Sequence, residues 1–144
     1  MAEYPEQLSR VKRYLAKIQT HDRSPVDYDD DMWMFFQGCW HLKDWIKNDL
    51  SVAESVRSVI EDEVKHYPDL MICADLANGA KHLRLTKPAR VGAKHHHKNY
   101  NLTSGGPSRV DYFVDRGDGT TVDGVQLALA CIAAWEEILK KYGL

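Results

Sequence analysis

Apolar residues recur at helical spacing through the first half of the chain and again at its end, and between these stretches the period is lost. Pro5 followed by Leu8, Val11, Leu15 and Ile18 on one side predicts an amphipathic first helix; proline suits its first turn, where the missing N–H has no intrahelical acceptor. After a polar break from His21 to Pro25, the stripe Phe35, Cys39, Leu42 and Ile46 predicts a second helix running close to Asn48, with Asp29 to Asp31 placed to cap its positive end. Ser51 with Glu54 forms a capping-box pattern ahead of Val52, Val56, Val59, Ile60 and Val64, a third helix. Pro68 stops that helix and opens a fourth, whose small positions Cys73, Ala74, Ala77 and Ala80 let a neighbouring helix approach closely.

From Thr86 to Val122 proline and glycine interrupt the chain, at Pro88, Gly92, Gly105, Gly106 and Pro107, and Val110 to Val114 is rich in strand formers. Asp118-Gly119 followed by Thr120, Thr121 and Val122 predicts a hairpin turn and a short return strand, because Asp-Gly tolerates the backbone angles of tight hairpins. Asp123 then caps a last helix with Val125, Leu129, Ile132, Trp135 and Leu139 inward, and Glu136, Glu137, Lys140 and Lys141 in water. The expected fold class is mainly α: an antiparallel bundle of about five helices with a small β-hairpin/loop insertion, residues 86–122, before the last helix. A chain of 144 residues suits a single domain over 1–144, since two separate halves would each be marginally stable.

Charge changes this picture locally. The net charge is -2, yet from Leu76 to Val110 there is no carboxylate, while Lys81, Arg84, Lys87, Arg90, Lys94, Lys98 and Arg109 and four of the seven histidines fall there. Acidic residues gather elsewhere, at Asp27 and Asp29 to Asp31 and at Glu61 to Glu63, which makes the molecule a charge dipole. The basic stretch points to an anionic partner, RNA among the candidates, with Lys81, Arg84, Lys87, Arg90, Lys94 and Lys98 as the contacting cations. From Lys87 to Arg109 it reads as a mobile electrostatic contact surface. The cysteines, Cys39, Cys73 and Cys131, are odd in number, far apart and set in apolar runs, which favours buried free thiols over a disulfide framework or a zinc cluster. With no apolar amino-terminal run and no membrane-length apolar stretch, the expected location is cytoplasmic, without a membrane partner.

The candidate chemistry lies on two helix faces. Asp75, Asn78 and His82 share one face of the fourth helix, and Gln37, His41, Asp44 and Asn48 lie opposite the apolar stripe of the second. They are read either as a polar seam or as an inter-helix pocket. In the pocket reading His82 or His41 is the general acid or base, Asp75 or Asp44 orients the ring, and Lys81 or Arg84 offsets phosphate charge. That is the equipment of a metal-independent ribonuclease working without a cofactor. A metal reading uses His41, Asp44, Asp75 and His82, although the paired Glu-x-x-His motifs of di-iron bundles are missing. The run His95 to His97 reads as a polar loop, and Trp33, Trp40, Trp45 and Trp135, at helical spacing with other apolar residues, as core or a dimer face. No phosphate-cradling glycine loop is present.

The segments from Phe36 to Trp45 and from Asp75 through His82 to Leu85 resemble those of small bacterial and phage-related helical proteins, and the plan is similar to the HEPN superfamily. The resemblance implies a helical bundle, often a homodimer, and RNA-directed activity of a toxin-antitoxin or phage-defence kind. It also implies an arginine and a histidine with four to six residues between them, a spacing that Arg90 with His95, His96 or His97 matches. The family carries that motif on a helix, whereas Pro88 and Gly92 make this stretch a poor one. The expected function is an RNA-directed protein of this type, a ribonuclease by its histidines. The alternatives are a non-catalytic protein that holds an anionic partner on its basic insertion, and a metal-binding bundle.

Overall fold

The computed structural model describes residues 3–20, 24–81, 90–101 and 109–144. Helix α1 spans Tyr4–Ile18, α2 Pro25–Asn48, α3 Glu54–Arg57, α4 Ile60–Glu63 with a following 3-10 turn Val64–His66, α5 Pro68–Lys81 and α6 Gly124–Lys141. Between α5 and α6 run β1 Lys94–Asn101, β2 Arg109–Asp115 and β3 Thr121–Asp123. The mainly α bundle with a small antiparallel insertion before the last helix is thus observed.

Helix α2 is the central element: Tyr28, Met32, Phe35, Phe36, Cys39, Leu42 and Ile46 are all buried, facing α1 on one side and α5 and α6 on the others. Its start differs from the sequence expectation. Ser24, not the aspartates, is the N-cap, its hydroxyl accepting from the Asp27 amide at 3.3 Å, with Pro25 in the first turn. Asp29 to Asp31 lie inside the helix; Asp31 is buried, and the Tyr112 phenol on β2 is pushed upward chiefly by burial and then by the Asp29 carboxylate. The third helix also differs. Ser51 forms no capping box, because its amide and hydroxyl both donate to Asp49 Oδ1, at 2.9 and 2.6 Å. Ala53 takes the cap position, and the segment breaks after Arg57 into two single turns and the 3-10 turn, leaving Val59 exposed.

The last helix starts as expected, with Asp123 Oδ2 accepting the Gln126 amide at 3.0 Å. Leu129 is exposed, however, and Leu127, Ala128 and Cys131 line the core together with Ile132, Trp135 and Leu139. The Trp135 indole donates to the Cys39 carbonyl at 3.0 Å, tying α6 to the middle of α2. At the far end Glu63, buried, accepts from Lys141 Nζ at 2.8 Å and from the Tyr142 hydroxyl at 2.7 Å. These two donors, the lysine first, hold the Glu63 carboxyl below its usual range.

The insertion is a three-stranded antiparallel meander in the order β1-β2-β3, in which β2 and β3 form the hairpin expected across Asp118-Gly119 and β1 adds a third strand. Its β1–β2 ladder runs from Lys94 opposite Asp115 to Asn101 opposite Arg109, with a register shift between His95 and His97. The three histidines therefore lie on a strand, not in a loop. Tyr112 and Val114 on β2 are buried and alternate with half-buried Asp111, Phe113 and Asp115, the period-two pattern of a sheet with one face on a core.

Candidate functional site

The predicted site residues fall into separate neighbourhoods. Asp75, on α5, is buried and faces the chain entering β1. Its Oδ1 accepts the Arg90 amide at 2.8 Å, and its Oδ2 accepts the amides of Val91, Gly92 and Ala93 at 2.8, 3.0 and 3.3 Å. Four successive N–H groups converging on one anion form a backbone nest. Gly92 takes a positive φ of 75° there, a conformation open to a residue without Cβ. The nest is backed by the β2–β3 turn. Gly117, at φ 86°, packs so closely on this loop that a Cβ would overlap the Val91 carbonyl oxygen. Asp75 thus holds the entrance of the basic strand to the bundle and has four donors already on its two oxygens.

His41 lies on another side of α2. It lines a groove of about 240 Å3 with Gln7, Arg10, Val11 and Tyr14 of α1 and Met34, Gln37, Gly38 and Trp45 of its own helix. Among the described residues, none of α5 lines this groove. Gln7 anchors its floor, donating to the Gly38 carbonyl at 3.1 Å and accepting from Arg10 Nη1 at 2.6 Å. The Arg10 guanidinium lies 5.6 Å from the Trp45 ring centre and 3.7 Å from Glu6. His41 and Gln37 therefore share a concave site with residues of α1, none of which the sequence had marked.

Asp44 and Asn48 join neither site. Lys43 Nζ lies 2.9 Å from Asp44 and 3.2 Å from Glu61, Lys47 adds a contact to Glu61 at 2.9 Å, and Asn48 donates to the Asp44 carbonyl at 2.8 Å. Asn78 is half-buried on α5. The predicted facing of His41 and Asp44 toward Asp75 and Asn78 is not what these contacts describe. His82, Arg84 and Lys87 lie outside the described residues, as do the side chains of Lys81 and Lys98. Of the remaining predicted cations, Arg90 and Lys94 are exposed. Arg90 sits 5.0 Å from the centre of the Trp40 ring, which Lys43 approaches at 4.9 Å, so one indole carries two cations. Lys94 is the cross-strand neighbour of Asp115. Trp40 and Trp135 are core residues. Arg90 precedes β1 and His95 to His97 lie on it, which puts the arginine–histidine spacing on extended chain.

The structure also brings together three residues that the sequence left apart. Cys39 of α2, Cys73 of α5 and Cys131 of α6 are fully buried free thiols, as expected, and their sulfurs all lie within 4.8 Å of one another. Among the described residues this is the group of three or more metal-capable side chains that forms, in place of His41, Asp44 and Asp75. The Cys73 thiol donates to the Phe36 carbonyl at 3.3 Å and the Cys131 thiol to the Asp69 carbonyl at 3.5 Å. Cys39 is pulled below the usual thiol value by hydrogen bonding from Cys131, then Cys73, against the effect of burial; Cys73 is pushed up, chiefly by burial, and Cys131 by its contact with Cys39. A signal for the cluster existed in the sequence. Each cysteine occupies the apolar stripe of its helix, so three helices sharing one core can bring them together.

Comparison with known protein families, curated proteins and solved structures finds no match to this chain. No helix among the described residues is long and apolar enough to cross a membrane.

Proposed function

We propose that the protein is RNA-directed and acts by binding, holding its anionic partner on the carboxylate-free segment between Leu76 and Val110. The observation that carries this reading is the nest on Asp75: four hydrogen bonds from backbone amides fix the middle of the segment, at the entrance of β1, to the bundle. With Asp75 engaged in this way, and His41 in a groove built by α1 and α2, the geometry favours contact over acid–base chemistry across the helices. Beyond the nest, Lys94 starts a strand paired with β2 along its length, a defined surface on which cations can be displayed.

The test is fluorescence anisotropy with a single-stranded RNA oligonucleotide across a range of salt. Binding should weaken as salt rises, with a slope that falls by about 0.7 for each phosphate contact removed. Lys94→Glu combined with Lys98→Glu should weaken it strongly. Absent or salt-independent binding ends this reading.

A second reading, a metal-independent ribonuclease of the HEPN kind, rests among the described residues on His41, which shares a concave groove with Arg10 and Gln37. It expects RNA cleavage in the presence of EDTA that disappears in His41→Ala while the fold is kept. RNA left intact by the unaltered protein, or cut equally by the variant, removes it.

A further inference from the structure

Three helices each deliver one sulfur to a common point in the core, where Cys39, Cys73 and Cys131 are sealed from solvent. An ion that binds three sulfurs as a shallow pyramid, with bonds of about 2.3 Å and angles of about 100°, needs the sulfurs about 3.5 Å apart. From separations of at most 4.8 Å the cluster reaches that geometry by a contraction of no more than about 1.3 Å. The Cys73 and Cys131 side chains are already held by the carbonyls of Phe36 and Asp69, and the Trp135 indole fixes the approach of α6 to α2.

The surroundings select the charge of the occupant. The neighbouring core is apolar, with Phe36, Ile132 and Trp135 among its buried members. Net charge buried in such a place costs several kcal/mol. Three thiolates around a monovalent soft ion carry two negative charges, around a divalent ion one, and around a trivalent ion none. Zinc in addition takes a fourth ligand in its closed sites, and the group of metal-capable side chains stops at three among the described residues.

We propose that Cys39, Cys73 and Cys131 form a tridentate site for a trivalent thiophilic ion of the arsenite class. Each thiol transfers its proton to one hydroxyl of As(OH)3. Three As–S bonds form as three As–O bonds break, three waters leave, and neither arsenic nor sulfur changes oxidation state. The product is neutral, which suits the core, and it links α2, α5 and α6 covalently. Because the thiols are fully buried, entry requires a local opening of the bundle, so loading is slower than capture by a small dithiol.

The experiment uses the full chain, reduced and free of air, titrated with sodium arsenite. Native mass spectrometry should show one adduct per chain, heavier by one arsenic atom less three hydrogens. Arsenic-edge X-ray absorption should show three sulfur neighbours and no oxygen, and the melting temperature should rise. Cys39→Ala and Cys73→Ala, each first checked for helical content, should lose the three-sulfur signature and the thermal shift. If a variant fails to fold, the absorption spectrum of the unaltered protein still decides, since two sulfurs and one oxygen, or no adduct, overturns the site. An adduct unchanged in a folded variant overturns it as well, and stoichiometric preference for zinc or copper(I) in direct competition overturns the choice of ion.

Discussion

The junction of α5 with β1 and the groove between α1 and α2 both contain a polar residue singled out by helical spacing, and the two residues behave differently. Asp75 is buried beneath four amide donors, whereas His41 is half-buried on the wall of a cavity. Spacing along a helix reports which residues share a face. It does not report what the rest of the chain brings to that face, and at Asp75 it brings a loop of consecutive N–H groups. A buried carboxylate with its donors in place is a structural device, since removing it strands those donors away from water. A half-buried histidine in a groove remains available for contact.

The sharpest way to break this contrast is to remove the anion. Asp75→Ala should lower the unfolding free energy by about 3 kcal/mol, because several partly buried amides lose their acceptor at once. Urea denaturation measures it, and a loss no larger than that of an ordinary surface substitution would mean that water replaces the carboxylate and the junction is not structural. Gly117→Ala comes next, at about 2 kcal/mol, since it combines a positive φ with overlap against Val91 and reaches the same loop from its other side. A neutral result would show that the loop moves freely, and that the nest is softer than its hydrogen bonds imply.

Glu63→Gln extends the contrast to a buried acid elsewhere, and should cost about 1.5 kcal/mol near neutral pH through its bonds to Lys141 and Tyr142. Its carboxyl titrates lower in the folded chain than in the unfolded one, so this contribution is present above the ordinary value of 4.5 and is lost as pH falls through the folded value. The difference in stability between the two proteins should therefore shrink in acid; a gap that stays constant with pH would remove the charge from the explanation. His41→Ala should have the smallest effect, under about 0.5 kcal/mol, as expected where no buried network depends on the side chain. Thermal melting checks it, and a large loss would place His41 with Asp75 as a structural residue.

The parts of the fold legible in the sequence are those settled within a few residues. Pro5 and Asp123 mark the starts of α1 and α6, and the Phe35, Cys39, Leu42, Ile46 stripe marks the buried face of α2. Where two local signals compete, the sequence misleads. Ser51 has the hydroxyl for a helix cap, but Asp49, two residues back, binds it first. Aspartates 29 to 31 look like an N-terminus, yet Ser24 and Pro25 begin the helix a turn earlier. The site is less legible because it depends on distant partners. Nothing near Asp75 announces the amides of residues 90 to 93, and the apolar stripes place Cys39, Cys73 and Cys131 in the core without saying that they meet.

The bond from the Trp135 indole to the Cys39 carbonyl spans 96 positions of the chain. Helix α6 also supplies the third thiol and, with the residue after it, the partners of Glu63. During synthesis, then, α2 and α5 emerge with one wall of their shared interior still missing. Until α6 arrives, Cys39 lacks the Trp135 and Cys131 neighbours that close its side of the core, and apolar surface there stays open to other chains. Closure of this core is therefore a late event governed by distant contacts, because α6 follows both helices it covers by many residues.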